Sequence, residues 1–377
     1  MSNKSFDCAI IGGGLAGLTL AIQLADLGRS VVLFEKEKYP FNKVCGEYIS
    51  MESHGFLQRL GIDFTSIDIP YITELKVSSP NGNSFVRKLD LGGFGISRYT
   101  LDSQLAQLAA KKGVILFENT KVNDVVREHD SFIVKTNGHD YTARIACGAF
   151  GKRSSIERSI RLNNSKPNGR GKNYVAVKHH VKTDLPSSRI ELHNFKNGYC
   201  GISKVDGDKY CLCYLTDSEN LAKSGNSIKL MEKNILMLNP FLKKYFTEAE
   251  FLYNDPVTIS QVTFRKKSQV KNGIILLGDA AGTIAPLCGN GMSMAMRASY
   301  IAAFLIADFL DERISREQLC IQYQDIWNKH FSKRIKVGEK IQYLFGKNYL
   351  TNSSIGLLKT FPLLADKLIS MTHGEVF

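Results

Sequence analysis

The stretch that most constrains the fold is FDCAIIGGGLAGLTLAIQLADLGRSVVLFEKEK, residues 6–38. CAII reads as a short apolar strand. Gly12, Gly14 and Gly17 then form GxGxxG, and the apolar period from Leu15 to Leu27 predicts a helix that ends at Gly28. SVVLFE is a second buried strand closing on Glu35. Gly12 permits the tight turn, Gly14 lets the backbone approach a pyrophosphate, and Gly17 lets helix and strand pack closely. The diphosphate lies at the helix N-terminus, beside Leu15 and Ala16, where free N–H groups and the dipole favour negative charge. Glu35, next to Lys36, accepts hydrogen bonds from adenosine ribose hydroxyls. A glycine-rich turn alone is weak evidence, but here strand, glycines, helix, second strand and acid arrive in order. The unit predicts a dinucleotide and leaves NAD and FAD both open.

The chain has 377 residues, enough for two or three interleaved domains. With 44% hydrophobic and 23% charged residues it is a well-cored globular protein rather than a disordered one. No run of eighteen or more apolar residues predicts a membrane-spanning helix, and the N-terminus lacks the pattern of a signal peptide. The 8 cysteines form no CxxC pair, so zinc chemistry has no support and no metal is expected. Cys211 and Cys213 lie two apart on an expected strand and so share one face, as packing residues. These features predict a cytoplasmic protein. The formal charge of +13 suits anionic partners, but no RNA-binding signature or basic–aromatic array appears, so nucleic acid is not expected.

A second anchor decides the cofactor. NGIILLGDAAGTIAPLCGNGMSMAMRASYIAAFLIADFL carries a strand into Gly278-Asp279, then a loop, then a long apolar helix from about Ser293. Gly278, Asp279, Ala280, Ala281, Pro286, Gly289, Gly291 and Met292 resemble the second FAD fingerprint of the p-hydroxybenzoate hydroxylase and geranylgeranyl reductase superfamily. The resemblance implies a Rossmann-type, glutathione-reductase-like FAD domain. Asp279 is then expected on the ribityl hydroxyls. The N–H groups around Gly289, Asn290, Gly291 and Met292 are expected at the pyrimidine end of the ring, where the helix dipole favours the charge of reduced flavin. GISRYTLDSQLAQLAAKKGV looks like the family's arginine-plus-aspartate helix start, with Arg98 expected at the diphosphate or ribityl region and Asp102 the weaker member. Val122 falls where the family packs backbone against adenine.

In this superfamily the loop after the second strand passes in front of the flavin. KVCGEYISMESHGFLQRLGI matches its outline through Lys43, Cys45, Gly46, Glu47 and Leu60-Gly61. The Gly-Glu half resembles squalene epoxidases and flavin halogenases, and the Cys-Gly half resembles geranylgeranyl reductases. Cys45 is the candidate catalytic residue at the flavin's reactive edge. Its roles are pocket-shaping, shielding from oxygen, or proton donation, the first preferred because free cysteines usually serve as small hydrophobes. Cys288 is expected to face the same space.

The chain departs from the family at IACGAFGKRSSIER, where Phe150 replaces the usual aspartate while Gly151, Ser154 and Arg158 remain. NADPH or NADH is the implied electron donor, but Phe150 and the lack of a second GxGxxG weigh against direct reduction. A halogenase is disfavoured, since the only tryptophan is Trp327.

The overall expectation is an α/β (α+β) chain with an inserted antiparallel-sheet substrate domain and a helical C-terminus. Residues 1–66, 97–172 and 266–312 are assigned to the FAD domain, 67–96 and 173–265 to the substrate sheet, and 313–377 to the helices. The sheet follows from the PNGN hairpin and the strand-like segments YVAVKHHVKT, RIELHNF and NGYCGISKVDGDKYCLCYLT. His179 and His180 point to opposite faces, either packing residues or one of them an acid or base in the cavity. The basic helices beyond Gln318 either pack on the FAD domain or rest peripherally on the inner face of an anionic membrane and feed in a lipid-like substrate. Three functions follow. The family resemblance favours a single-component flavin monooxygenase acting on an aromatic, polyketide or isoprenoid-like molecule. The alternatives are a geranylgeranyl-reductase-like reductase of C=C bonds in a prenyl or lipid chain, and a non-catalytic flavin-binding redox protein.

Overall fold

A computed structural model of the chain describes residues 5–152, 156, 173–262, 267–282, 289–344 and 348–377. Two sheets organise it. In the first, the central strand Ser5–Ile11 pairs parallel with Val31–Phe34 on one side and with Asp140–Gly148 on the other. Ile115–Phe117 extends the sheet beyond Val31–Phe34, and Ile274–Leu276 extends it beyond Asp140–Gly148. All four residues of Val31–Phe34 are buried, as a parallel strand covered on both faces requires. The helix Leu15–Asp26 lies on this sheet, and Gly28 follows it at φ +73. A Cβ on Gly17 would stand 2.0 Å from the Gly12 carbonyl oxygen, so only glycine lets helix and strand approach this closely.

The helix Gly291–Leu310 packs against Leu15–Asp26, and the Thr19 and Ser299 hydroxyls meet at 2.7 Å. It begins two residues earlier than the apolar period suggested. Although it is long and apolar enough to cross a membrane, 61% of its most apolar stretch is buried inside the protein. It is therefore a core helix of this fold.

The second sheet runs in the order Glu250–Phe251, Tyr174–Lys182, Tyr210–Asp217, Gly198–Lys204, Arg189–Phe195, Tyr71–Ser78, Ser84–Gly95 and Tyr48–Ser50. It is mixed rather than antiparallel, because Arg189–Phe195 pairs parallel with Tyr71–Ser78. No hairpin joins these two strands. The chain returns through the first sheet between them, so turn geometry imposes no antiparallel direction. Tyr48–Ser50, directly after the Cys45 loop, also pairs here, so that loop leads straight into the second sheet.

A buried polar centre pins this sheet to the helix Pro240–Glu248. The Glu191 carboxylate accepts hydrogen bonds from His193 Nε2 (2.9 Å) and the Tyr245 hydroxyl (2.8 Å), and Lys76 Nζ lies 3.5 Å away. Burial pushes the Glu191 carboxyl up, but the His193 and Tyr245 hydrogen bonds and the Lys76 charge hold it down at about 2. A carboxyl depressed on folding contributes stability above its ordinary value of 4.5 and loses it as pH falls toward 2. Urea midpoints measured across that window should fall with pH, and Glu191→Gln should flatten the slope.

Of the C-terminal helices, Arg316–Leu344 packs on Gly291–Leu310 in the first sheet's core, where the Tyr323 hydroxyl donates to the Leu276 carbonyl at 2.8 Å, while Asn348–Thr360 and Pro362–Ser370 pack through Ile355 and Ala365 on Val77 and Phe85 of the second sheet. The last residues return to the first sheet's side. Phe377 packs on Phe56 and Tyr300, and Arg334 forms a buried ion pair with Glu52 at 2.9 Å.

Candidate active site

One cavity of about 1470 Å³ runs from the glycine turn of the first sheet, across the Cys45 loop, to the underside of the C-terminal helices. That exceeds the roughly 300–1,000 Å³ of ordinary ligand pockets, leaving room for a cofactor and a second molecule.

At one end lie Gly12, Gly14, Leu15, Ala16, Glu35, Lys36 and Val122. The helix Leu15–Asp26 has no side-chain cap and no acid in its first turn, so its leading N–H groups are free for an anion. Two cations reinforce the spot. Arg98 Nη2 and Lys43 Nζ stand 3.7 and 3.9 Å from where a Cβ on Gly14 would be. Glu35 has a second duty as well. Its carboxylate accepts the N–H groups of Gly13 (2.9 Å) and Glu37 (3.1 Å), which fixes the acid at the strand end. Gly17 lies behind the wall, in its packing role.

Asp102, expected as the weaker member beside Arg98, is the acceptor that both cations share. It is 1% exposed and accepts two hydrogen bonds from Arg98, at 2.7 and 2.8 Å, and one from Lys43 at 3.0 Å. Burial pushes its carboxyl up, but the Arg98 and Lys43 charges outweigh that and hold it below the usual range. Asp102 thus aims both cations at the glycine turn. The i, i+4 spacing of Arg98 and Asp102 on one helix was the sequence signal for this pair.

At the middle of the cavity are Lys43, Cys45, Gly46, Gly278, Asp279, Gly289, Gly291 and Met292. A Cβ on Gly46 would meet nothing within 4 Å, so the backbone there faces open space. Cys45 Sγ lies 3.5 Å from Met292 Sδ, at the start of the helix Gly291–Leu310, whose N-terminus also lacks a side-chain cap. Asp279 is half-buried, with Lys152 Nζ 3.8 Å from its carboxylate. Asn290 is the exception in this group. Its side chain turns away and donates to the Thr372 carbonyl, tying the C-terminal segment to the loop. Pro286, Cys288, Ser154 and Arg158 lie outside the described residues. Phe150 lines the cavity as an apolar surface.

The sequence reading missed Lys178. His179 and His180 do point to opposite faces: His179 reaches Glu232 at 2.9 Å, while His180 Nε2 reaches Glu47 at 2.6 Å. Lys178, two residues before His180 and on its face, donates to Glu47 at 2.8 Å. Cys211 and Cys213 pair across from His180 and Lys178, and Cys211 Sγ bonds the Cys45 carbonyl at 3.2 Å. Cys213 lines the cavity rather than only packing.

Two uncapped helix N-termini, two cations over the glycine turn and an acid at the second strand end make a seat that fits FAD. Arg98, Lys43 and the 14–16 backbone would hold its diphosphate, Glu35 its ribose, and the 289–292 backbone its ring. Comparisons with known proteins agree. Residues 5–328 match the family model described as FAD binding domain. Among relatives, the chain is 26% identical over 358 residues to conditioned medium factor receptor 1 of Dictyostelium discoideum, covering 86% of this chain and 68% of that protein. It is 25% identical over 341 residues to digeranylgeranylglycerophospholipid reductase of Methanococcus vannielii, covering 87% and 84%. The flavin-dependent brominase Bmp2 shares the fold with a TM-score of 0.77 at 21% identity, covering 98% of this chain and 93% of that one. The chain belongs to the FAD-binding-domain family of flavoprotein oxidoreductases.

Proposed function

We propose that this flavoprotein reduces C=C bonds in a prenyl or lipid chain. The observation that carries the reading is the far arm of the cavity. Beyond Cys45 its wall is aliphatic and aromatic: Leu75, Phe85 and Leu89 from the hairpin, Ile190 and Leu192 from the next strand, and Leu368 from the last helix. Such a wall suits a long hydrocarbon. Several curated relatives, including that of Methanopyrus kandleri, carry the name digeranylgeranylglycerophospholipid reductase, which supports the same class.

FAD, when bound and reduced, supplies a hydride (two electrons and one proton) to one carbon of the double bond. The other carbon needs a proton in a site that excludes water. Cys45 Sγ carries a proton at the cavity edge and is the group assigned to deliver it. Reduced nicotinamide is the proposed electron donor, with Phe150 at the place of the usual acid. Anaerobic titration with NADPH, with dithionite as the control, tests it through bleaching of the flavin band.

The substrate class also suggests where the protein works. On the two last helices Leu357, Phe361, Leu363 and Leu364 are exposed, with Lys359 and Lys367 nearby, while Leu358, Ala365 and Leu368 line the cavity. This apolar face with basic neighbours is proposed to rest on an anionic membrane and admit the lipid. Replacing Leu363 and Leu364 by glutamate should weaken sedimentation with anionic vesicles by about tenfold or more, since each buried leucine contributes roughly 1.5–3 kcal/mol. Equal sedimentation of the variant would remove the membrane surface from the account. For the reaction itself, purified protein should convert a geranylgeranylated lipid under anoxia to products richer by two hydrogens per bond. Products that gain oxygen, and only in air, would favour hydroxylation or epoxidation instead.

A further inference from the structure

Glu47 is fully buried, yet its carboxylate reaches three groups on two other elements of the fold. Oε1 accepts the Lys178 ammonium at 2.8 Å and the Arg98 backbone N–H at 2.9 Å, and Oε2 meets His180 Nε2 at 2.6 Å. Its carbonyl accepts the Ile96 N–H at 3.1 Å. One side chain therefore ties the loop in front of the flavin to the helix that presents Arg98, and both to the strand Tyr174–Lys182.

The backbone at Glu47 is the second observation. It sits at φ +56, the left-handed region that a β-carbon disfavours by roughly 1–2 kcal/mol. In this turn the Glu47 N–H points back to Cys45 Sγ at 3.5 Å, while Cys211 holds the Cys45 carbonyl. The sequence of causes runs inward. Lys178 and His180 fix the carboxylate, the carboxylate holds the strained turn, and the turn aims the Cys45 thiol at the cavity edge beside Met292.

A metal ion is a poor substitute for this arrangement. Glu47, His180 and Cys211 do bring ligand-type atoms within 4.8 Å of one another, but the two carboxylate oxygens already serve Lys178 and His180. Burial alone would raise the Glu47 carboxyl. The His180 hydrogen bond and Lys178 charge keep it lowered, so it stays an acceptor.

We propose that Glu47 is a positioning residue, held by Lys178 and His180, that sets the direction and reactivity of the Cys45 thiol and keys the substrate sheet to the flavin seat. The inference rests on the reductase reading only in the chemistry it gives Cys45.

The test uses the full chain loaded with FAD and three variants, Glu47→Gln, Lys178→Met and the double variant. Each single change strands a buried group and should lower the melting temperature. The double variant removes both charges and should regain most of that loss. Its turnover should nonetheless stay down by about tenfold to a hundredfold in kcat, with KM moving far less, because a misaimed reacting group costs rate. Two further readouts need no substrate: the rate at which iodoacetamide labels Cys45, followed by peptide mass spectrometry, and the position of the flavin absorption bands. Labelling in the double variant should change by about fivefold or more, a difference on the order of 1 kcal/mol in the thiol's surroundings. If the double variant recovers stability and labels Cys45 at the wild-type rate, the role of Glu47 is only structural and the proposal is overturned. If wild type reduces no double bond yet labelling in the double variant changes as stated, the reductase reading fails while the positioning role stands.

Discussion

Replacing Gly17 by alanine should yield a colourless protein. The added Cβ would lie 2.0 Å from the Gly12 carbonyl oxygen and 3.3 Å from the Ala149 methyl, so the helix must move off the strand. Overpacking of this kind costs about 1–3 kcal/mol even where side chains can yield, and here the nearest atom is backbone. The displaced helix N-terminus is the one that would meet the diphosphate, so affinity falls along with stability. The ratio of flavin to protein absorbance after purification should drop to near zero, and the melting temperature should fall with it. A yellow, stable variant would show that the close approach of helix and strand does not govern cofactor binding.

The second large effect belongs to Asp102. Asp102→Ala removes the acceptor for Arg98 and Lys43, and breaking a buried ion pair from one side costs about 3–5 kcal/mol. The two cations then lose their aim at Gly14, so FAD affinity, measured by fluorescence of released flavin, should weaken at least tenfold. Asp102→Asn should do less, because one acceptor oxygen remains. Arg98→Ala in the wild-type background should weaken FAD while sparing the Cys45 loop, since Glu47 bonds the Arg98 backbone and not its side chain. If Asp102→Ala binds FAD as tightly as wild type, the cations are not held for the cofactor.

How much of this was legible in the sequence depended on distance along the chain. The first turn, its helix and Glu35 are local features within about thirty residues, and each glycine announces its own geometry. The helix after Gly289 was legible for the same reason, apart from its first two residues. Arg98 and Asp102 lie four apart, so their pairing was readable, whereas the aspartate's second partner, Lys43, comes from a separate loop and was not. Lys178 and Glu47 are 131 residues apart, and no period or spacing links them. A lysine within an apolar strand was the one clue, since such a residue is rarely buried unpaired. The parallel pairing of Arg189–Phe195 with Tyr71–Ser78 was invisible for a similar reason: the strands meet through topology, not through a turn. The apolar arm combines hairpin, strand and C-terminal helix, and only their assembly shows that their aliphatic faces enclose one space.

The central claim is that the reduced cofactor hands its electrons to a carbon–carbon double bond. It is tested most directly by an anaerobic single turnover, mixing chemically reduced, FAD-loaded protein with a geranylgeranylated lipid and following flavin absorbance. The account predicts that the oxidised flavin band returns without oxygen, with one double bond lost per flavin and a marked slowing in Cys45→Ala. A band that stays bleached until air is admitted, with a transient adduct before it returns and oxygen in the product, would contradict it.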